Sequence, residues 1–307
     1  MRLISRIAVI GVLAAVGIAG SANDAAAPEC RPAHETLHGL LWMQTAAEYQ
    51  ISATSAYRLA RIQLDRALAD KDWTAMPEDG QAAGAVGAKK RASRRKPPAV
   101  ILDIDETVLD NSPMQASLAR EARNFTSQVW SEWVALEAAG AVPGAVEFLQ
   151  YARRRGVTVF FVSGRTKEQE EATRRNLERV GVALDPRIDQ VLTRNEREEW
   201  KADKSTRRAF VARSYRVLLL IGDDLADFVS VENQTLEERI RTALAHRDQW
   251  GTKWIQLPNP VYGSWEAATR NYRNAADAAS DREILMRKMQ RLRGMQSNSG
   301  RGEVDRR

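Results

Sequence analysis

The chain is poor in the groups that staple a fold or anchor it in lipid. It has a single cysteine among 307 residues, Cys30, so no intramolecular disulfide is available. Of its three histidines, His34 and His38 stand four apart, at the start of a helical pattern, and read as surface residues rather than metal ligands. No apolar run is long enough for a membrane span: residues 7–19 fall short of the ~20 that a helix needs. That run follows Arg2 and Arg6 and precedes the small residues Gly20-Ser-Ala22 and Ala25-Ala-Ala27, the layout of a cleavable signal peptide. The expectation is an exported chain, periplasmic or secreted, that loses residues 1–22 and keeps no membrane anchor.

Acidic residues are outnumbered, 40 to 46, giving a net charge of +6 and a pI near 9.6, which suit an anionic substrate. Charged residues at 28% and hydrophobic ones at 44% describe a globular protein rather than a disordered one. The excess is concentrated in a Gly- and Ala-rich loop over 76–98, where six of the eight residues at 89–96 are basic. Such a run could meet nucleic acid or lipid headgroups but reads as a solvated loop, with electrostatic help toward phosphorylated substrates left open, and no stable nucleic-acid partner is expected. Self-association stays open.

Residues 34–70 carry apolar positions at helical spacing, and 117–140 read as a further helix holding Trp130 and Trp133. Another helix opens at Pro143 and ends at Gly156. Between and after these lie short β-rich runs at 100–102, 157–162, 190–193 and 216–221, the last apolar from Val217 to Ile221 as in a central, buried parallel strand. The pattern predicts a doubly wound parallel α/β sheet over residues 34–285, with a mainly helical cap drawn from 34–75 and 110–142, and a frayed tail at 286–307.

The chemistry stands at the ends of the strands. The first run breaks into Asp103-Ile-Asp105-Glu-Thr-Val-Leu-Asp-Asn-Ser112. Two carboxylates one residue apart would share a face if the strand continued, and their repulsion calls for a cation or a proton. The second ends in Ser163-Gly164-Arg165-Thr166, where a hydroxyl and a glycine let the backbone approach a phosphate oxygen. Asp203-Lys204-Ser205 opens a helix, with Lys201 as the competing lysine. The last strand ends in Gly222-Asp223-Asp224-Leu225-Ala226-Asp227-Phe228, and beyond it lies Leu257-Pro-Asn259-Pro-Val-Tyr262-Gly-Ser-Trp265-Glu266.

Taken in order, these strings resemble motifs I to IV of the haloacid dehalogenase (HAD) superfamily, in the branch of secreted class B-like acid phosphatases that includes lipoprotein e type nucleotidases and plant vegetative storage proteins. The resemblance implies a Mg²⁺-dependent hydrolase of small phosphomonoesters, with nucleoside monophosphates as a candidate substrate class. It assigns Asp103 as nucleophile, Asp105 as general acid and base, and Ser163 and Lys204 as stabilisers of the transferring phosphoryl group. Metal binding falls to Asp103, Asp105 (through its carbonyl) and Asp223, with Asp224 or Asp227 holding metal-bound water or orienting Lys204. Arg165 becomes a substrate contact, and Trp130 and Tyr262 a pair that clamps a nucleobase. Two departures stand out: Asp224 occupies a position where relatives often carry Asn, and the residues before Cys30 do not form a lipidation box. A non-catalytic binding or storage protein on the same fold is the alternative.

Overall fold

Five apolar runs form one parallel sheet in this computed structural model, which describes residues 34–76, 94–269, 283, 286 and 288–292, all within one unit spanning 33–307. The strands are β1 (Pro98–Leu102), β4 (Thr158–Thr166), β5 (Val191–Arg194), β6 (Arg216–Gly222) and β7 (Trp254–Gln256), in the order β5-β4-β1-β6-β7. A two-residue pairing of β2 (Leu109–Asp110) with β3 (Gly140–Ala141) stands apart from it.

Strand β1 is central, pairing with β4 on one side and β6 on the other. The chain builds outward through β4 and β5, then returns to the other side of β1 to lay down β6 and β7. The connections therefore diverge between β1 and β6, and a parallel sheet opens its ligand crevice at such a point, beyond the carboxyl ends of the strands. Asp103 and Asp223, each one residue past its strand, arrive at that crevice together.

Alternation along the strands supplies two cores. Val100, Leu102, Phe161, Val191, Leu219 and Ile221 face helices α2 (Ala47–Ala69), α5 (Ala145–Arg154) and α6 (Glu170–Arg179). Ile101, Phe160, Val162, Leu192 and Leu220 face the other way, toward α7 (Ser205–Ser214) and the residues after β6. Helices thus cover both faces, as the doubly wound pattern predicts.

Three expectations shift. The 34–70 helix is broken at Ala46, whose extended backbone separates α1 (Leu37–Thr45) from α2. Helix α2 does not join a cap: its buried stripe of Ala53, Tyr57, Ala60, Leu64 and Ala67 lies on the sheet, because small residues at helical spacing let the helix approach the strand side chains closely. The single helix expected at 117–140 is two, α3 (Ser112–Glu121) and α4 (Ser127–Leu136). Ala122 adopts a left-handed conformation that closes α3, and the Thr126 hydroxyl caps α4 by accepting from Val129 N at 3.2 Å. Helices α1, α3 and α4 gather beside the carboxyl ends of the strands. The signal-peptide expectation and most of the basic loop lie outside the described residues. Lys288, in the segment read as frayed, reaches Glu35 and Glu266 at 2.7 Å.

Candidate active site

Asp103 leaves β1 with its N–H donated to the Ile221 carbonyl at 3.0 Å, which ties the end of β1 to the end of β6. The strand does not run on. Ile104 O accepts from Val108 N and Leu109 N at 2.7 and 2.8 Å, and Glu106 takes a left-handed φ of 54°. This tight turn replaces the shared face expected of Asp103 and Asp105 and sends the two carboxylates to different partners.

Asp103 joins Asp223 and Asp227, whose carboxylate oxygens lie within 4.8 Å of one another. Lys204 Nζ stands 2.6 Å from both Asp103 Oδ1 and Asp227 Oδ1. Asp223 is oriented by Thr107 Oγ1 at 3.2 Å and Asn259 Nδ2 at 2.8 Å. Two buried carboxylates and a half-buried one against one lysine leave negative charge uncompensated. Burial, together with Asp227, pushes the Asp103 carboxyl up to about 7 despite Lys204. Burial, with repulsion from Asp227 and Asp103, raises Asp223, and burial, with Asp224, raises Asp227 against the pull of Lys204. Burial opposes the charge on Lys204, but the two carboxylates outweigh it and raise its pKa. A dense set of oxygen donors with excess negative charge fits a hard divalent cation.

Local sequence places these groups. Asp203 Oδ1 accepts from Ser205 N at 2.5 Å, fixing the first turn of α7 just after Lys204. Gly222 makes room for Asp227, since a Cβ there would sit 2.2 Å from Asp227 Oδ2. Asp224 stands outside the carboxylate group. Its oxygens accept from Ala226 N at 2.8 Å and Ser264 N at 2.6 Å, and Arg239 lies 3.7 Å away. Through Ala226 N it caps the short helical turn Leu225–Asp227, the N-cap role open to a carboxylate at this position, and through Ser264 N it joins the loop after β6 to the helix Ser264–Thr269. Asp227 carries the contact to Lys204 that had been left open between the two. Lys201, the competing lysine, is exposed.

Asp105 bonds instead to Arg165, with Nη2 to Oδ1 at 2.7 Å, and to Asn111 Nδ2 at 3.0 Å. The guanidinium expected to meet substrate is thus buried on a carboxylate. Ser163 is wholly buried within β4, which runs on to Thr166, and its Oγ accepts from Arg165 N at 3.1 Å. Trp130 lies over the Arg165 guanidinium at 5.3 Å, and the Tyr262 hydroxyl donates to Glu106, a buried carboxyl whose pKa burial raises. The two aromatics flank the motif I turn, each with a protein partner.

Sequence reading missed several supporting groups. Arg207 and Arg208 are buried on α7, one turn beyond Lys204. Arg207 Nη1 donates to the Ser163 carbonyl at 2.5 Å, and Arg208 Nη1 to the Ala226 and Asp227 carbonyls at 3.0 Å. The helix that Lys204 precedes therefore also braces the segments of both Ser163 and Asp227. Two basic residues on a charged helix look like solvated surface, so no sequence signal marks them. Asn111 lay within the motif I string and Trp133 was in view, but their bond at 2.8 Å depends on the fold.

With this geometry in place, comparison with known proteins is informative. The class C acid phosphatase from Bacillus anthracis superposes with a TM-score of 0.71 at 31% identity, covering 85% of this chain and 98% of that one. Its tungstate-bound form gives 0.70 at 31% identity with the same coverage. The stem 28 kDa glycoprotein of Glycine max is 25% identical over 169 residues, 53% of this chain and 58% of that protein, so the chain spans a little over half the length of the curated relatives it matches. The family model of the HAD superfamily, subfamily IIIB (Acid phosphatase), matches residues 33–265, and the chain belongs to that family.

Proposed function

We propose that the protein is a Mg²⁺-dependent acid phosphatase that hydrolyses phosphomonoesters through an aspartyl-phosphate at Asp103. The observation that carries the reading is the single ammonium of Lys204 between Asp103 and Asp227, with Asp223 in the same carboxylate group. Family membership and the acid phosphatases of similar fold support it. Tungstate, bound by one of those neighbours, is an oxyanion of phosphate-like shape and charge.

In this reading an Asp103 oxygen attacks phosphorus and the P–O ester bond breaks. A proton passes from Asp105 to the leaving oxygen, so the alcohol departs neutral. Water then attacks the aspartyl-phosphate, its proton returns to Asp105, and phosphate leaves with Asp103 restored. Lys204 offsets the charge of the nucleophile and of the transferring group, and Ser163 offers its hydroxyl to a phosphoryl oxygen. Asp103 and Asp223 would hold Mg²⁺, with Asp227 beside them. The ion, when bound, supplies positive charge between two anions that otherwise repel.

Nucleoside monophosphates are the proposed substrate class, since Trp130 and Tyr262 flank the turn that carries the nucleophile and aromatic faces accept any base. Export by the signal-like residues 1–22 is proposed with it. The non-catalytic reading is not favoured, because nucleophile, acid, lysine and metal carboxylates are all retained.

The test is hydrolysis of p-nitrophenyl phosphate and a nucleoside monophosphate panel, with EDTA and with added Mg²⁺. Metal-dependent turnover that vanishes in folded Asp103→Asn is the expected result. Substantial turnover in that variant would remove the nucleophile assignment.

A further inference from the structure

The two oxygens of Asp105 are held unequally. Oδ1 accepts from Arg165 Nη2 at 2.7 Å, Arg165 Nε at 3.0 Å and Asn111 Nδ2 at 3.0 Å. Oδ2 takes only the 3.3 Å contact from Arg165 Nε among the described residues. The donors are themselves fixed. Arg165 Nη1 donates to Thr173 Oγ1 at 3.1 Å, and Thr173 donates to the Gln169 carbonyl at 2.8 Å. Asn111 Oδ1 accepts from Trp133 Nε1 at 2.8 Å, which turns the amide so that Nδ2 faces Asp105. Trp130, three residues earlier on the same helix, covers the guanidinium. The side chain of Arg165 is 1% exposed and that of Asp105 16%, so the carboxylate reaches toward the crevice while its holder cannot.

We propose that Arg165 is a positioning residue for the leaving-group proton: with Asn111, locked by Trp133 of α4, it presents Asp105 Oδ2 as the oxygen that delivers and recovers that proton. A proton on Oδ1 would displace three donors, whereas a proton on Oδ2 disturbs one long contact. The ester bond to phosphorus breaks as the bond to Asp103 forms, and the leaving oxygen takes its proton from Oδ2. The charge left on Asp105 then meets a guanidinium already in place. Since a general acid works only within hydrogen-bond reach of its target, fixing the rotamer of Asp105 governs the step. The inference rests on the acid role of Asp105 proposed above.

Proton delivery matters most for a poor leaving group. The experiment compares kcat/KM for an alkyl phosphate and for p-nitrophenyl phosphate in Mg²⁺-loaded wild type, Arg165→Lys, Trp133→Phe and Asp105→Asn, with each fold checked by thermal melting. Trp133→Phe keeps the ring and removes only the N–H, so it remains informative if the buried arginine proves essential for folding. Arg165→Lys and Trp133→Phe should each widen the aryl-to-alkyl ratio about tenfold or more, a part of the ~10²–10⁴ that general acids contribute. Asp105→Asn should widen it further. An unchanged ratio in the Arg165 and Trp133 variants, with Asp105→Asn still selective, overturns the inference alone. An unchanged ratio in Asp105→Asn overturns the acid assignment and this inference with it.

Discussion

The ammonium of Lys204 lies 2.6 Å from the carboxylate of Asp103, and the same nitrogen is equally close to Asp227. One cation therefore serves both the proposed nucleophile and the carboxylate beside it. Lys204→Met should lower kcat for p-nitrophenyl phosphate by about 10²–10³-fold, the usual loss when a preorganised charge-stabilising donor is removed. Lys204→Arg should fail to restore it, because a guanidinium is too broad to occupy the point between two carboxylates. Steady-state kinetics on both variants checks this.

The metal-free protein should lose stability as pH rises. Asp103 titrates near 7 in the fold, above the ~3.9 of a free aspartate, so the native state binds the extra proton between those values. That contribution is complete below about pH 4 and is lost as pH climbs through 7; Asp223 and Asp227, also raised, act in the same direction. Melting in EDTA should give a lower Tm at pH 8 than at pH 5. Mg²⁺ at a hundredfold excess over its Kd should recover about 2.7 kcal/mol at pH 8, or roughly 5–10 °C. A Tm in EDTA that rises with pH over this range would contradict the charge balance described.

Gly222 and Gly164 predict opposite outcomes from the same substitution. A Cβ at Gly222 meets Asp227 at 2.2 Å, while one at Gly164 meets nothing within 4 Å. Gly222→Ala should cost about 1–3 kcal/mol, a Tm loss of roughly 2–12 °C, and Gly164→Ala should melt close to wild type.

Arg208 holds the Ala226 and Asp227 carbonyls. Arg208→Met should loosen the segment that carries Asp227, beside the proposed Mg²⁺ ligands, and weaken Mg²⁺ binding about 10–100-fold, the range for groups that orient ligands. Titration of Mg²⁺ followed by calorimetry reads it directly.

Trp130 should contribute to substrate choice. Trp130→Ala should raise KM for a nucleoside monophosphate by about fivefold or more relative to glycerol phosphate, since stacking one base is worth about 1–3 kcal/mol. An equal rise for both would place Trp130 solely against Arg165.

Most of the sheet was legible because its strands announce themselves locally: residues 217–221 are apolar without interruption and fall in β6, and the α7 helix follows directly after Asp203-Lys204. Side-chain destinations were not. Asp103 and Asp105 stand one residue apart, yet a left-handed Glu106 and the turn at Ile104 send one to Lys204 and the other to Arg165. Asp224 reads like Asp223 in sequence but is claimed by Ser264, forty residues on. Arg207 and Arg208 look like solvent-facing charge until α7 packs, when the carbonyls of Ser163 and Asp227 become their partners.

The sequence by itself determined the element types, the order of the motifs and the residues that can carry phosphoryl chemistry, because hydrophobic periodicity and carboxylates at strand ends are local signals. Only the tertiary structure decided which carboxylates gather around Lys204, which arginines serve as buried braces and which oxygen of Asp105 stays open. Those outcomes depend on contacts between residues far apart in the chain, and on the competition of buried charges for the few donors within reach.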